Sequence, residues 1–179
     1  MNEKLLFIIN GWAGKNQLLD QFMIFVAKDL VFIIFVLTAC LLGYLIYKKQ
    51  ISTALWVICS LAISYLILLG AALLYSEQRP FVDHHLTQLL AHATGKSFPS
   101  DHTTVTAAIG AALLFLTPFK KIGVAVALGA VLIGFSRVFV GVHYPIDIIG
   151  GLIVGALGGA LTYMIKRLIS NKTKQEKSL

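Results

Sequence analysis

The chain has 179 residues, 58% of them apolar and only 13% charged, with a formal net charge of +7. Soluble domains run closer to about half apolar and a quarter charged, and the mean hydropathy of +0.83 departs from them in the same direction. A water-soluble enzyme, a disordered tail and a nucleic-acid binder are therefore poor fits, and one domain is the natural count at this length.

From the N-terminus, Leu5–Trp12 and Leu18–Ala27 are two apolar pieces split by Gly14, Lys15, Asn16 and Gln17. They read as interfacial helices over residues 1–28, with Trp12 at the headgroup level; a sixth, distorted span is the alternative. The first apolar run is short and leads into Asn10, Gly11 and Lys15 rather than a small-residue cleavage site, so no cleaved signal peptide is expected. Five later stretches approach the roughly 17–25 apolar residues that a crossing requires: Leu30–Tyr47, Ile51–Tyr75, Thr103–Phe119, Ile122 to about Val140, and about Ile146 to Ile165. Cys40 and Cys59 lie inside two of them and read as small packing residues, not as a metal or disulfide framework. In the last span, Gly151, Gly155 and Gly159 form a small-residue stripe that lets another helix approach closely. Packing within the chain is expected there, with a dimer interface as the alternative. The expectation is an all-α membrane protein: one domain over residues 1–169 and a polar, frayed cytoplasmic tail over 170–179.

The basic residues give an orientation. Lys48 and Lys49, then Lys120 and Lys121, then Lys166, Arg167, Lys172, Lys174 and Lys177 fall on one side if five helices cross. These nine of the fifteen basic residues mark the cytoplasmic side. The N-terminus, the loop over 76–102 and the turn at His143 are then expected outside the cytoplasm.

Ionisable groups near the hydrocarbon are costly and are functional candidates by default. Glu77-Gln78-Arg79-Pro80 follows the second span and Ser97-Phe98-Pro99-Ser100-Asp101-His102 precedes the third. Ser136-Arg137 closes the fourth, and His143-Tyr144-Pro145-Ile146-Asp147 opens the fifth. Singly, either arginine fits a snorkelling anchor, His102 a loop histidine and Asp147 a first-turn acid. The deduced topology gathers them at one face. Two arginines, two histidines and a carboxylate there suit a phosphate-type anion, which guanidinium forks and helix N-terminal amides hold well.

Arg79-Pro80, Pro99-Ser100-Asp101-His102 and Ser136-Arg137-x5-His143-x3-Asp147 resemble the three-part signature of the type 2 phosphatidic acid phosphatase superfamily, Lys-x6-Arg-Pro, Pro-Ser-Gly-His and Ser-Arg-x5-His-x3-Asp. The third part matches at every fixed position. The family lysine falls at Ala72, for which Lys96 is the candidate substitute. Asp101 replaces a glycine, leaving its backbone amide for phosphate and its carboxylate to turn elsewhere, as in capping the third helix. Pro-Ser-Asp-His resembles the bacterial undecaprenyl-diphosphate phosphatases of this superfamily.

The resemblance implies a bundle of five to six transmembrane helices with the active site at the non-cytoplasmic face of the bacterial plasma membrane. It implies hydrolysis of undecaprenyl diphosphate to the monophosphate and phosphate, with His143 as nucleophile, Asp147 as its orienting partner and His102 as general acid and base. Arg79, Arg137, Ser100 and the Asp101 amide would hold phosphate, and no cofactor or metal is implied. His84, His85 and His92, with His102, could imitate a metal site but read as a solvated loop. The expected partners are a polyprenyl or glycerolipid phosphate and the bilayer, with oligomeric state left open. Phosphatidate or phosphatidylglycerophosphate hydrolysis is the alternative within the class. An anion or lipid transporter, which would favour inverted repeats and interrupted helices, and a haloperoxidase-like oxidation are the alternatives outside it.

Overall fold

The computed structural model describes residues 1–176, so Lys177 and the end of the tail lie outside the described residues. The chain folds as helices α1 (Asn2–Asn10), α2 (Gln17–Tyr47), α3 (Ile51–Leu74), α4 (Pro80–Asp83), α5 (Asp101–Leu116), α6 (Lys120–Phe139) and α7 (Pro145–Glu176). No β-strand occurs among the described residues; Gln78 and Lys96 form one isolated antiparallel pairing. The all-helical membrane architecture expected from the sequence is present.

Four helices, α2, α3, α6 and α7, are long and apolar enough to cross a membrane. The third expected span, α5, is a shorter apolar helix. It stops at Leu116 because Pro118 disfavours helical geometry at the residue before it, and Thr117 is extended (φ −128°, ψ 165°). The 16 residues of α5 rise about 24 Å at about 1.5 Å each. The helix leads from the loop before Asp101 to the turn before Lys120 as the buried axis of the bundle, packed on α7, α6 and α3, with ten residues between Thr103 and Leu113 buried. Around it, α2 and α3 carry exposed side chains such as Phe32, Val36, Leu55 and Leu66, the apolar surface that lipid covers.

Two boundaries differ from the sequence expectation. Leu18–Ala27 is not a separate interfacial helix: it is continuous with the following span as the 31-residue α2. Asn16 caps α2 by accepting from the Leu18 and Leu19 amides, and the buried face Met23, Val26, Ala27, Val31, Ile34 runs past Lys28 and Asp29 without a break. At the other end, Ser170 to Glu176 belong to α7 where a separate polar tail was expected.

Small residues set the spacing at the centre. A Cβ on Gly155 would stand 2.5 Å from the Thr104 carbonyl oxygen and 2.7 Å from the Ala108 amide. Gly151 and Gly159 meet α5 in the same way, and a Cβ on Gly158 would overlap Ser64 of α3. The stripe is therefore used inside the chain. Cys40 and Cys59 are free and exposed.

Gly155→Ala should separate α5 from α7, because the obstructing atoms are backbone and cannot rotate away. The expected cost is about 1–3 kcal/mol, read as a lower unfolding midpoint in detergent. Gly43→Ala, which meets nothing within 4 Å, is the control and should show no such loss.

Candidate active site

The site lies at the end of the bundle where α3 finishes, α5 and α7 begin and α6 finishes. The three lysine-rich stretches sit at the opposite ends of those helices or in the turns joining them. Pro145 occupies the first position of α7, where its missing N–H costs nothing. Asp147, two residues on, reaches back so that its Oδ2 accepts from the Tyr144 amide at 2.8 Å. This is a capping-box arrangement, and it fixes the carboxylate against the turn that carries His143. That turn is made tight by Gly141, whose φ of +82° is disfavoured for side-chain-bearing residues.

His143 is 2% exposed and Asp147 fully buried. His143 Nδ1 lies 3.1 Å from Asp147 Oδ2, and Arg79 Nη1 lies 3.0 Å from His143 Nε2. A guanidinium only donates, so Nε2 accepts and the ring proton sits on Nδ1, donated to Asp147. The tautomer is thereby set from both sides, with the Nε2 lone pair facing the arginine.

Arg79 is held by its own segment. It is extended before Pro80 (φ −71°, ψ 146°), and the Gln78–Lys96 pairing lays residues 77–79 against 95–97. The Ser97 amide donates to the Glu77 carbonyl at 2.9 Å, while Arg79 Nη1 also donates to the Val142 carbonyl at 3.1 Å. Arg137, 1% exposed, donates through Nη1 to the Ala27 carbonyl of α2 at 3.2 Å. Arg137 Nε and Nη2 and Arg79 Nε are buried with no hydrogen-bond partner among the described residues. Buried charged donors left unpaired are costly, and a tetrahedral oxyanion is the ligand whose geometry satisfies several at once.

The remaining candidates divide. Ser100 is buried; its amide donates to the Asp147 carbonyl at 3.1 Å, joining the start of α5 to α7. Its hydroxyl accepts from Thr103 and keeps its own proton available. The His102 side chain makes no hydrogen bond among the described residues, and Arg137, His143, His92 and Arg79 are within its electrostatic reach. Asp101 does not cap α5: Ser100 is the N-cap residue, with no side-chain cap. The Asp101 carboxylate is exposed and makes no ion pair with either arginine among the described residues. Ala72 and Lys96 line one cavity of about 400 Å³, with Phe98, Pro99 and Asp101, so a lysine does border the place opposite Ala72. His84 packs edge-on to Phe7 and Tyr144. Among the described residues no group of three His, Cys, Asp or Glu side chains could hold a metal ion.

Two residues, Ser97 and Asn10, have no assigned part in the sequence reading, and a third, His92, reads there as part of a solvated loop. Ser97 is fully buried, and its hydroxyl donates to Asp147 Oδ2. Asn10 of α1, also buried, donates to the Thr87 and Phe139 carbonyls and accepts from the Thr87 amide. It ties the loop over the site to the end of α6. The His92 ring faces that of His143 at 6.4 Å between centres. Ser97 lies in a run the sequence had singled out, but nothing in spacing marks it; Asn10 carries no local signal, and His92 stands out only as one histidine among several in its loop.

Comparison with known proteins agrees with this architecture. The PAP2 superfamily profile matches residues 53–169. Undecaprenyl-diphosphatase BcrC of Bacillus subtilis is 37% identical over 172 residues, covering 94% of this chain and 86% of the relative. The fold is similar to the crystal structure of Aquifex aeolicus LpxE, with a TM-score of 0.71 at 24% identity, covering 90% of this chain and 93% of that one. It is equally similar to a transmembrane PAP2-type phosphatidylglycerolphosphate phosphatase from Bacillus subtilis, with a TM-score of 0.73 at 22% identity, covering 93% and 87%.

Burial first, then the Arg137 and Arg79 charges, hold the His143 pKa well below the ordinary 6.5. The neutral ring is then retained as pH falls through 6.5 and is lost only at lower pH. With neutral His143 as the attacking group, the acidic limb of kcat/KM, which reports the free protein's groups, should therefore lie below pH 6.5. A limb at or above that value, on a substrate that does not itself titrate there, would contradict the sign.

Proposed function

The chain belongs to the PAP2 superfamily, and from that membership we propose that it removes the terminal phosphate of undecaprenyl diphosphate, leaving undecaprenyl phosphate, through a phosphohistidine on His143. The observation that carries this reading is the set of unpartnered guanidinium N–H groups on Arg79 and Arg137, next to an imidazole whose Nε2 lone pair is free of a proton. The relationship to undecaprenyl-diphosphatase BcrC along nearly the whole chain supports the choice of lipid.

In the proposed reaction the terminal phosphoryl group enters between Arg79 and His143. Arg79 exchanges its hydrogen bond to Nε2 for one to a phosphate oxygen, and Arg137 and Ser100 take others. The Nε2–P bond forms as the bond to the bridging oxygen breaks, and its electron pair leaves with the lipid phosphate. Asp147 accepts from Nδ1–H throughout and steadies the positive charge that develops on the ring. His102 protonates the leaving oxygen, then removes a proton from the water that cleaves the phosphohistidine. Losing one oxyanion donor commonly costs about 10²–10³-fold in rate, so at Ala72 this site lacks a contribution of that size, which Arg79, Arg137 and Ser100 must carry in its place.

The reading also has a direction. With Lys48, Lys49, Lys120, Lys121, Lys166 and Arg167 at the far end of the bundle, the positive-inside rule turns the site outward from a bacterial plasma membrane. There a lipid carrier would be dephosphorylated at the outer leaflet.

Purified protein given undecaprenyl diphosphate, phosphatidate and phosphatidylglycerophosphate side by side, with and without chelator, should release phosphate fastest from the first. Chelator should not slow it, and vanadate should inhibit it. His143→Ala should lower the rate by at least about 10⁴-fold; undiminished release would end the phosphohistidine proposal. For sidedness, a cysteine introduced near Val82 should react with an impermeant thiol reagent on intact cells, and one near Lys48 should not. Reversed labelling would overturn the outward site.

A further inference from the structure

His92 stands on the loop between α4 and α5, outside all three signature segments. That loop is pinned on both sides of it. Asn10 clamps Thr87 by both its amide and its carbonyl, and the Leu89 amide donates to the Val140 carbonyl. Beyond His92, Lys96 pairs with Gln78 and the Ser97 amide donates to Glu77. The stretch between these anchors lies over His143, and the two rings are nearly perpendicular, 72° apart, with centres 6.4 Å apart.

His92 Nδ1 lies 3.1 Å from the Ala93 carbonyl oxygen, so that nitrogen carries a proton and is engaged with the backbone. Nε2 is left for a ligand. Arg79, Arg137 and Asp101 are the charged groups within its electrostatic reach, so the ring shares the neighbourhood that holds the two arginines.

We propose that His92 forms a second-phosphate subsite: it contacts the phosphate that stays on the lipid when a lipid diphosphate is cleaved, and so favours diphosphates over monophosphates. The inference rests on the reading that His143 receives the terminal phosphoryl group. In-line displacement puts the departing phosphate on the far side of the reacting phosphorus from His143. The His92 ring is edge-on to His143 with centres 6.4 Å apart, and its unengaged Nε2 is near enough to donate to a non-bridging oxygen of that phosphate. A diphosphate also brings more negative charge than a monoester. That charge offsets the two arginines and lets the imidazole bind a second proton and donate from Nε2.

The test is calorimetric binding of two non-lipid probes, methylenediphosphonate and inorganic phosphate, to the purified full chain in detergent. The wild type should bind the diphosphonate more tightly. His92→Ala should weaken the diphosphonate by about ten-fold, the size of one charge-assisted hydrogen bond, with a much smaller change for phosphate. His92→Gln, which keeps a donor, should fall between. Equal weakening of both probes, or none for the diphosphonate, overturns the subsite; phosphate binding by the variants reports that the site is folded. Phosphate release from undecaprenyl diphosphate by the wild type is measured in parallel. Discrimination between the probes without any release would leave the subsite standing and sink the reaction.

Discussion

Two guanidinium ions held inside one end of an apolar bundle are the constraint on which the rest of the structure depends. Taking such a charge out of water costs several kcal/mol even after relaxation. The protein returns only part of this, through the Val142 and Ala27 carbonyls, each such bond to a charged group contributing about 1.5–3 kcal/mol. No carboxylate pairs directly with either arginine among the described residues. Asp147, the buried acid within reach, gives its Oδ2 to His143, Ser97 and the Tyr144 amide, and its Oδ1 is buried without a partner among the described residues. A stability argument alone would replace both arginines by apolar side chains. Under the proposed reaction they serve as preorganised positive charge, already desolvated and aimed, the condition under which electrostatics stabilise a transition state most.

Holding that charge in place is a packing problem, and α5 solves it. Its short, small-residue sequence lets α7 approach until the Gly155 Cα side of the helix meets the Thr104 carbonyl. At that separation the Ser100 amide reaches the Asp147 carbonyl and the Ser97 hydroxyl reaches the Asp147 carboxylate. The glycines in mid-bundle and the polar groups at its end are one device: wider packing would leave Asp147 without its partner from the preceding loop. The N-terminal helix extends the device sideways. Asn10 couples α1, the loop at Thr87 and the last turn of α6 through a single amide, just before the turn that bears His143.

Much of this was legible in the sequence because it depends on local rules. Hydropathy over windows of membrane length located the long helices, and costly ionisable residues at their ends located Arg79, Arg137, His143 and Asp147. The boundary of α2 was not legible from hydropathy, because hydropathy measures insertion and not helicity. Lys28 and Asp29 interrupt an apolar run without interrupting a hydrogen-bond ladder, and the three- and four-residue spacing of Met23, Val26, Ala27, Val31 and Ile34 was the better guide. Ser97, Asn10 and His92 were illegible for a different reason. Each is positioned by contacts with segments tens of residues away: nothing beside Ser97 or Asn10 in the chain marks its part, and the histidines near His92 suggested a solvated loop and not a ring packed on His143.

The position of Arg79 joins these strands. Its Nη1 shares its two protons between the Val142 carbonyl and His143 Nε2, while Asp147 takes the proton on the other ring nitrogen. An arginine there performs two tasks that a lysine in the α3 interior could not combine. As a donor-only group it forces the lone pair onto the nitrogen that would attack, and as a planar fork it can surrender one hydrogen bond to phosphate while keeping the other to the backbone. Under the proposed reaction, the contact that orients the nucleophile becomes the contact that receives the substrate. A site built this way depends less on a third cation from α3, which gives a physical account of how the arrangement can dispense with a lysine at Ala72.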